Sequence, residues 1–208
     1  MEDYLIPADF GEDEFTEKRS RFIGRIWHAE TEADAVERIQ QMKKKHYDAS
    51  HNCWAYIIRG GAVRFSDDGE PGGTAGMPIL QVLQREQLSN AVCVVTRYFG
   101  GILLGTGGLV RAYTKGAKIA VDAAGKARME QWQKLCLSTP YTYYERIRLE
   151  ASSQNGIIEN SDFGADVTLD LLIPLNRSEV FCKHVTELTG AAAEIIETGT
   201  VYRPYRIQ

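Results

Sequence analysis

The chain has no apolar run approaching the ~20 residues that a bilayer-spanning helix needs. Its four cysteines, Cys53, Cys93, Cys136 and Cys182, form no CxxC pair and no metal-type spacing. That is the cysteine usage of a reducing compartment. The first 17 residues contain seven acids and no base, the opposite of the basic n-region that starts a secretory signal. These absences lead to the expectation of a cytoplasmic protein. No lysine follows the glycines as it does in a phosphate-binding GK[ST] loop, and Gly105-x-Gly107 is followed by Val110 rather than the third glycine of GxGxxG. Nothing in the pattern asks for a cofactor or a metal.

What is present is charge in blocks and glycine in clusters. The formal net charge of −4 combines an acidic leader, a basic middle and an acidic end. Residues 18–138 hold 18 Lys and Arg against 11 Asp and Glu; residues 139–208 hold 6 against 10. A basic middle suits phosphate-bearing partners, although the excess is modest beside that of a dedicated DNA binder. Nine of the 19 glycines fall between Gly69 and Gly108, in DDGEPGGTAGMP (67–78) and RYFGGILLGTGGLVRAY (97–113). Glycine costs conformational entropy, so it accumulates where backbone needs positive φ or lies against something bulky. Two such loops, the second opening into a basic helix, read as a surface for an anionic partner.

The length of 208 residues allows one large domain or two small ones. FIGRIWHA (22–29) reads as a strand. Thr31 caps a helix whose inward stripe is Ala35, Val36, Ile39 and Met42, and Lys43, Lys44 and Lys45 close it where the dipole favours cations. Gly60-Gly61 joins a hairpin, and Ala91–Thr96 is apolar on both faces, as in a central strand. A helix spans 109–124 and a strand about 128–137. Pro140 is taken as the boundary between domains 1–137 and 138–208. Beyond it TYYERIRLEA (142–151) alternates as a strand would, with Tyr143, Ile147 and Leu149 on one face. A short helix at 154–159, two strands, a helix and a strand then complete β-α-β-β-α-β, a ferredoxin-like unit.

Arg111, Lys115 and Lys118 stand at i, i+4 and i+7, within about 60° on a helix. Gly107 and Gly108 open that helix, where free amides favour an anion. Phosphate oxygens suit this combination, and an ordinary solvated face is the alternative. Asp67, Asp68 and Glu70 offer three carboxylates on a turn: oxygen ligands for Mg²⁺, turn and cap acceptors, or ion-pair partners for Arg97 or Arg111. His51 and Cys53 share a strand face, but i, i+2 neighbours seldom reach the hydrogen bond that a nucleophilic pair needs. Arg97-Tyr98-Phe99 ends the buried strand and either stacks a base or covers the core edge.

KRSRFIG (18–24), HNCWAY (51–56) and the two glycine loops, in this order, resemble the IMPACT/YigZ family. The long motifs show no departure from the family pattern. The resemblance implies an α+β fold. Its N-terminal domain would be like the second domain of a small-subunit ribosomal protein, domain IV of elongation factor G and the GHMP kinases. Its ferredoxin-like C-terminal domain would be like domain V of elongation factor G. Eukaryotic members regulate translation by competing for the activator of a starvation-responsive initiation-factor kinase, and no catalytic residue set is established. Carried over by motif, the functional positions are Asp67, Asp68, Glu70, Gly73, Thr74, Arg97, Gly100, Gly101, Gly105, Gly107, Gly108 and Arg111. The expectation is a translation-linked protein that binds RNA or the ribosome through these glycine loops with Lys115 and Lys118. Alternatives are a nucleotide-binding phosphohydrolase or kinase-like enzyme, and a protein-interaction module with a protein partner in translation control.

Overall fold

The computed structural model describes residues 3–207. In chain order the elements are β1 (Tyr4–Pro7), β2 (Gly11–Glu17), β3 (Ser20–His28), α1 (Glu32–Lys45), β4 (His51–Ile57), β5 (Val63–Ser66), α2 (Gly76–Arg85) and β6 (Ala91–Tyr98). They continue as α3 (Thr106–Ala124), β7 (Lys126–Thr139), α4 (Tyr141–Ser153), β8 (Ile157–Phe163), β9 (Val167–Pro174), α5 (Leu175–Thr189) and β10 (Glu194–Ile207). The chain divides into two compact units, at Arg128/Met129 and again at Arg203/Pro204.

The first unit is built on an antiparallel sheet in the order β2-β3-β6-β4-β5. β6 lies between two partners and is covered on both faces, which is why it carries no polar alternation. Cys93 and Val95 face a core shared with α2 and α3, while Val92 and Val94 pack with Ala35, Ile39 and Met42 of α1. Thr31 forms a full capping box with Asp34, and the three lysines occupy the last turn of α1, as expected. Val36, expected inside, is exposed; the buried stripe is the narrower Ala35, Ile39 and Met42.

Helix α3 lies unusually close to the sheet. A Cβ placed on Gly24 of β3 would stand 1.9 Å from the Gly116 carbonyl oxygen. Alanine and glycine fill the contact stripe at Ala112, Gly116, Ala117 and Ala120. The acidic leader is not a separate appendage. As β2 it pairs along β3, where Glu14 meets Arg21 at 2.5 Å and Glu12 meets the buried Arg25. Charge blocks that are distinct in sequence are therefore interleaved in space, and part of the basic excess of residues 18–138 is neutralised within the unit.

The second unit is ferredoxin-like, with the sheet order β10-β7-β9-β8 and helices α4 and α5. Its element assignment is shifted by one from the sequence reading. TYYERIRLEA is not the first strand; it lies in α4, with Ile147 and Ala151 buried one turn apart and Leu149 exposed. The first strand is β7. Residues 154–159, expected as a short helix, form a turn entering β8. Pro140 is the N-cap of α4. β7 is unbroken from Lys126 to Thr139; the division after Arg128 falls within it, and Trp132–Thr139 pair with β9.

Candidate functional site

The first glycine loop is organised by Asp67. Its Oδ1 accepts from the amides of Ala75 (3.0 Å) and Gly76 (2.8 Å), and its Oδ2 from Gly73 (2.8 Å). The N-cap residue of α2, Ala75, has no side-chain acceptor of its own, so Asp67 satisfies the orphan donors from outside the helix. Asp68 accepts from the Asn52 amide at 2.7 Å and pairs with Lys43 at 2.5 Å. The Thr74 hydroxyl donates to the Pro71 carbonyl at 2.6 Å. Glu70 turns inward, where Oε1 accepts from Arg97 Nη1 at 2.6 Å and from the Tyr113 hydroxyl at 2.7 Å. These three carboxylates are committed to separate partners, and no metal-type cluster of His, Cys, Asp or Glu occurs among the described residues. Magnesium ligation by this turn therefore has no geometric support, whereas the anticipated pairing with Arg97 is present.

Burial pushes the Asp67 carboxyl up, but the amides of Gly73, Gly76 and Ala75 outweigh it and hold the group below the ordinary carboxylate range. A carboxylate depressed on folding stabilises the protein above its unfolded pKa of about 3.9, and that stability is lost as pH falls through the lower folded value. Asp67→Asn should cost roughly 0.5–2 kcal/mol at neutral pH, the range of a lost helix cap. Urea denaturation of variant and wild type should converge below about pH 4. A gap that persists unchanged into acid would mean that the charge is not what caps α2.

Arg97 is not a free phosphate ligand. It is 5 % exposed, with Nη1 donating to Glu70 at 2.6 Å and Nη2 reaching the Ser20 hydroxyl at 3.4 Å. Gly100 is required by close approach, since a Cβ there would stand 2.0 Å from the Arg19 backbone. Gly105, at φ +71°, is the N-cap of α3 and supplies no side-chain acceptor, and the first turn holds no acid. That turn, containing Gly107 and Gly108, thus keeps an uncompensated positive dipole end. Gly101 also has positive φ, at +84°.

Arg111 and Lys115 come together as expected, joined by a cation that the sequence reading did not single out. With Lys18 they line a depression of about 220 Å³ beside Gly108. Lys18 and Arg19 form the two-residue turn between β2 and β3, both at positive φ (45° and 65°). Hairpins of this length favour glycine or asparagine at such positions, so two long basic residues here hold their charge outward against a backbone preference. A two-residue basic gap between strand-like runs was the available signal. Lys115 sits 4.3 Å over the Phe15 ring. Lys118, by contrast, is engaged by Asp122 and, at 3.4 Å, by Glu86. The Asp122 hydrogen bond is the chief cause of its raised pKa.

A larger cleft of about 450 Å³ separates the two glycine loops. Its walls include Pro71, Phe99, Leu103, Leu104 and Leu109, and Glu70, Arg97 and His51 also line it. The Cys53 thiol, fully buried and pushed up in pKa by desolvation, donates to the Asp67 carbonyl at 3.0 Å. His51 Nδ1 lies 2.8 Å from the Asp68 carbonyl. The two side chains therefore serve the loop and do not form a nucleophile pair. The Tyr98 hydroxyl is held by His46 at 2.9 Å and Asp48 at 3.1 Å, while Phe99 lines the cleft with the Arg97 guanidinium carbon 5.3 Å from its ring centroid.

The geometry can be set beside known proteins. A family model described as the Impact N-terminal domain matches residues 18–121, and a domain of unknown function (DUF1949) matches residues 137–192. The IMPACT family member YvyE of Bacillus subtilis is 35% identical over 204 residues, covering 97% of this chain and 94% of its own. The IMPACT family member YigZ of Escherichia coli is 34% identical, covering 94% and 98%. A crystal structure titled as that of a hypothetical protein superposes with TM-score 0.61 at 32% identity, over 96% of this chain and 98% of the other. No helix among the described residues is long and apolar enough to cross a membrane.

Proposed function

The chain belongs to the IMPACT family, and from that premise we propose that it is a cytoplasmic, translation-linked regulator that binds RNA, on the ribosome or as tRNA. The contact surface in this reading is the second glycine loop and the cationic depression beside it. What carries the reading is the convergence of Lys18, Arg111 and Lys115 beside the uncapped first turn of α3. Helix amides and a dipole end favour anions, and three cations against one acid of the lining, Glu17, add net positive charge without sequence preference. Lys118 and Arg97 contribute less than their sequence positions suggest, because Glu86, Asp122 and Glu70 already neutralise them. The enzyme reading has weaker support, since the carboxylates it would use for Mg²⁺ are consumed by backbone amides, Lys43 and Arg97.

The test is a salt titration of RNA affinity. Each phosphate contact removed should make d log K/d log[salt] less negative by about 0.7 for a single strand. Lys18→Ala/Lys115→Ala should therefore flatten the slope by about 1.4, while Lys118→Ala should leave it nearly unchanged. Wild-type affinity and slope in a folded Lys18→Ala/Lys115→Ala protein would remove this surface from RNA binding.

A further inference from the structure

The larger cleft adjoins the cationic depression, because Leu104 lines both. Resting on the RNA reading above and extending it, we propose that this cleft receives one unstacked nucleobase of single-stranded RNA. The phosphate next to that base is held by Lys18, Arg111 and Lys115. At about 450 Å³ the cleft lies within the ~300–1,000 Å³ of small-molecule sites. Phe99 is 47 % exposed and Leu103 81 % exposed at its mouth, a costly display of apolar surface for a free monomer. A ring face such as that of Phe99 suits any base, since every base has a π-face.

The lining distinguishes a base from an apolar protein side chain. The bonds to Glu70 from Arg97 and Tyr113 both fall on Oε1, leaving Oε2 without a hydrogen bond among the described residues. The Asp68 carbonyl can only accept, so His51 Nδ1 is the donor, and Nε2 lies 3.9 Å from Glu70 Oε1, beyond a direct hydrogen bond. Arg97 Nε is buried without a partner among the described residues. An aliphatic occupant would seal these groups away from water unpaired, which is costly. A base edge carries both donors and acceptors and can meet them. A base within a duplex is unable to enter, because its edge and faces are already engaged.

The measurement is fluorescence anisotropy with a labelled single-stranded RNA octamer, and with the same octamer annealed to its complement, at several salt concentrations. Phe99→Ala should weaken single-strand binding by about 5- to 150-fold, the range for loss of one aromatic stack. The salt slope and duplex affinity should not change, and Phe99→Trp should restore the single-strand affinity. Leu103→Ser, at a more exposed position, should weaken the single strand in the same direction. An equal loss for single strand and duplex, or no loss in either variant, overturns the base-binding cleft. If those variants bind as wild type while Lys18→Ala/Lys115→Ala still flattens the slope, the cleft proposal falls alone. If wild-type protein binds neither RNA, both proposals fall.

Discussion

Arg97→Ala should destabilise the first unit by roughly 3–5 kcal/mol, the cost of leaving one member of a buried ion pair without the other. Both side chains are almost inaccessible, 6 % exposed for Arg97 and 3 % for Glu70, and they meet at 2.6 Å. After the substitution the Glu70 carboxylate would retain the Tyr113 hydroxyl but no cation closer than its present surroundings provide. Arg97 sits on the central strand β6 and Glu70 on the first glycine loop, so the pair also ties that loop to the sheet. Removing both charges together, as Arg97→Met/Glu70→Leu, should recover much of the loss, because apolar replacement of a buried pair is often neutral or better. Urea unfolding followed by circular dichroism reads this as a shift in midpoint at constant slope. A loss under about 1 kcal/mol for Arg97→Ala would mean that water reaches the pair and that the effective dielectric there is high.

Gly24→Ala should be comparably damaging, above the ~1–3 kcal/mol typical of an overpacked core. The added methyl would stand 1.9 Å from the Gly116 carbonyl oxygen, which is backbone held in α3 and unable to rotate away. Relief requires the helix to lift from β3, separating the Ala117 and Ala120 contacts of the same core. Gly116→Ala offers the control. Its methyl meets the buried Val95 Cγ1 at 2.8 Å, a side-chain atom rather than backbone and a less severe approach, and alanine gains about 1 kcal/mol of helix propensity over glycine. Thermal melts should therefore rank Gly24→Ala well below Gly116→Ala. The reverse order, or a Gly24→Ala melt indistinguishable from wild type, would show that α3 does not lie against β3 at this distance.

Much of the fold was written locally. Thr31 and Asp34 spell a capping box three residues apart, Gly60-Gly61 spells a hairpin, and the unbroken apolar run through Val92–Val95 spells a strand covered on both faces. The small residues Ala112, Gly116 and Ala120, spaced four apart, are the local pattern that lets α3 pack closely. Helix α4 was misread because an alternating run of Tyr, Ile and Arg over ten residues fits either period. Only the packing of Ile147 and Ala151 into one core decided for the helix.

The site was legible only as two loops. Which charges meet is set by separations of a few ångströms, and sequence spacing carries little of that information once the partners lie far apart along the chain. Arg97 and Glu70 are 27 positions apart, and Tyr113 reaches the same oxygen across 43. Asp67 caps a helix from nine residues upstream because the loop between them folds back. Glu12 and Glu14 neutralise Arg25 and Arg21 because β2 pairs with β3 in one register. The same folding replaced Lys118 with Lys18 in the cationic group: strand pairing brought the β2–β3 turn to the start of α3, while Glu86 and Asp122 met Lys118. Periodicity and turn chemistry act between chain neighbours and so survive in the sequence; Coulomb and hydrogen-bond partners are chosen by distance, which exists only in the folded protein.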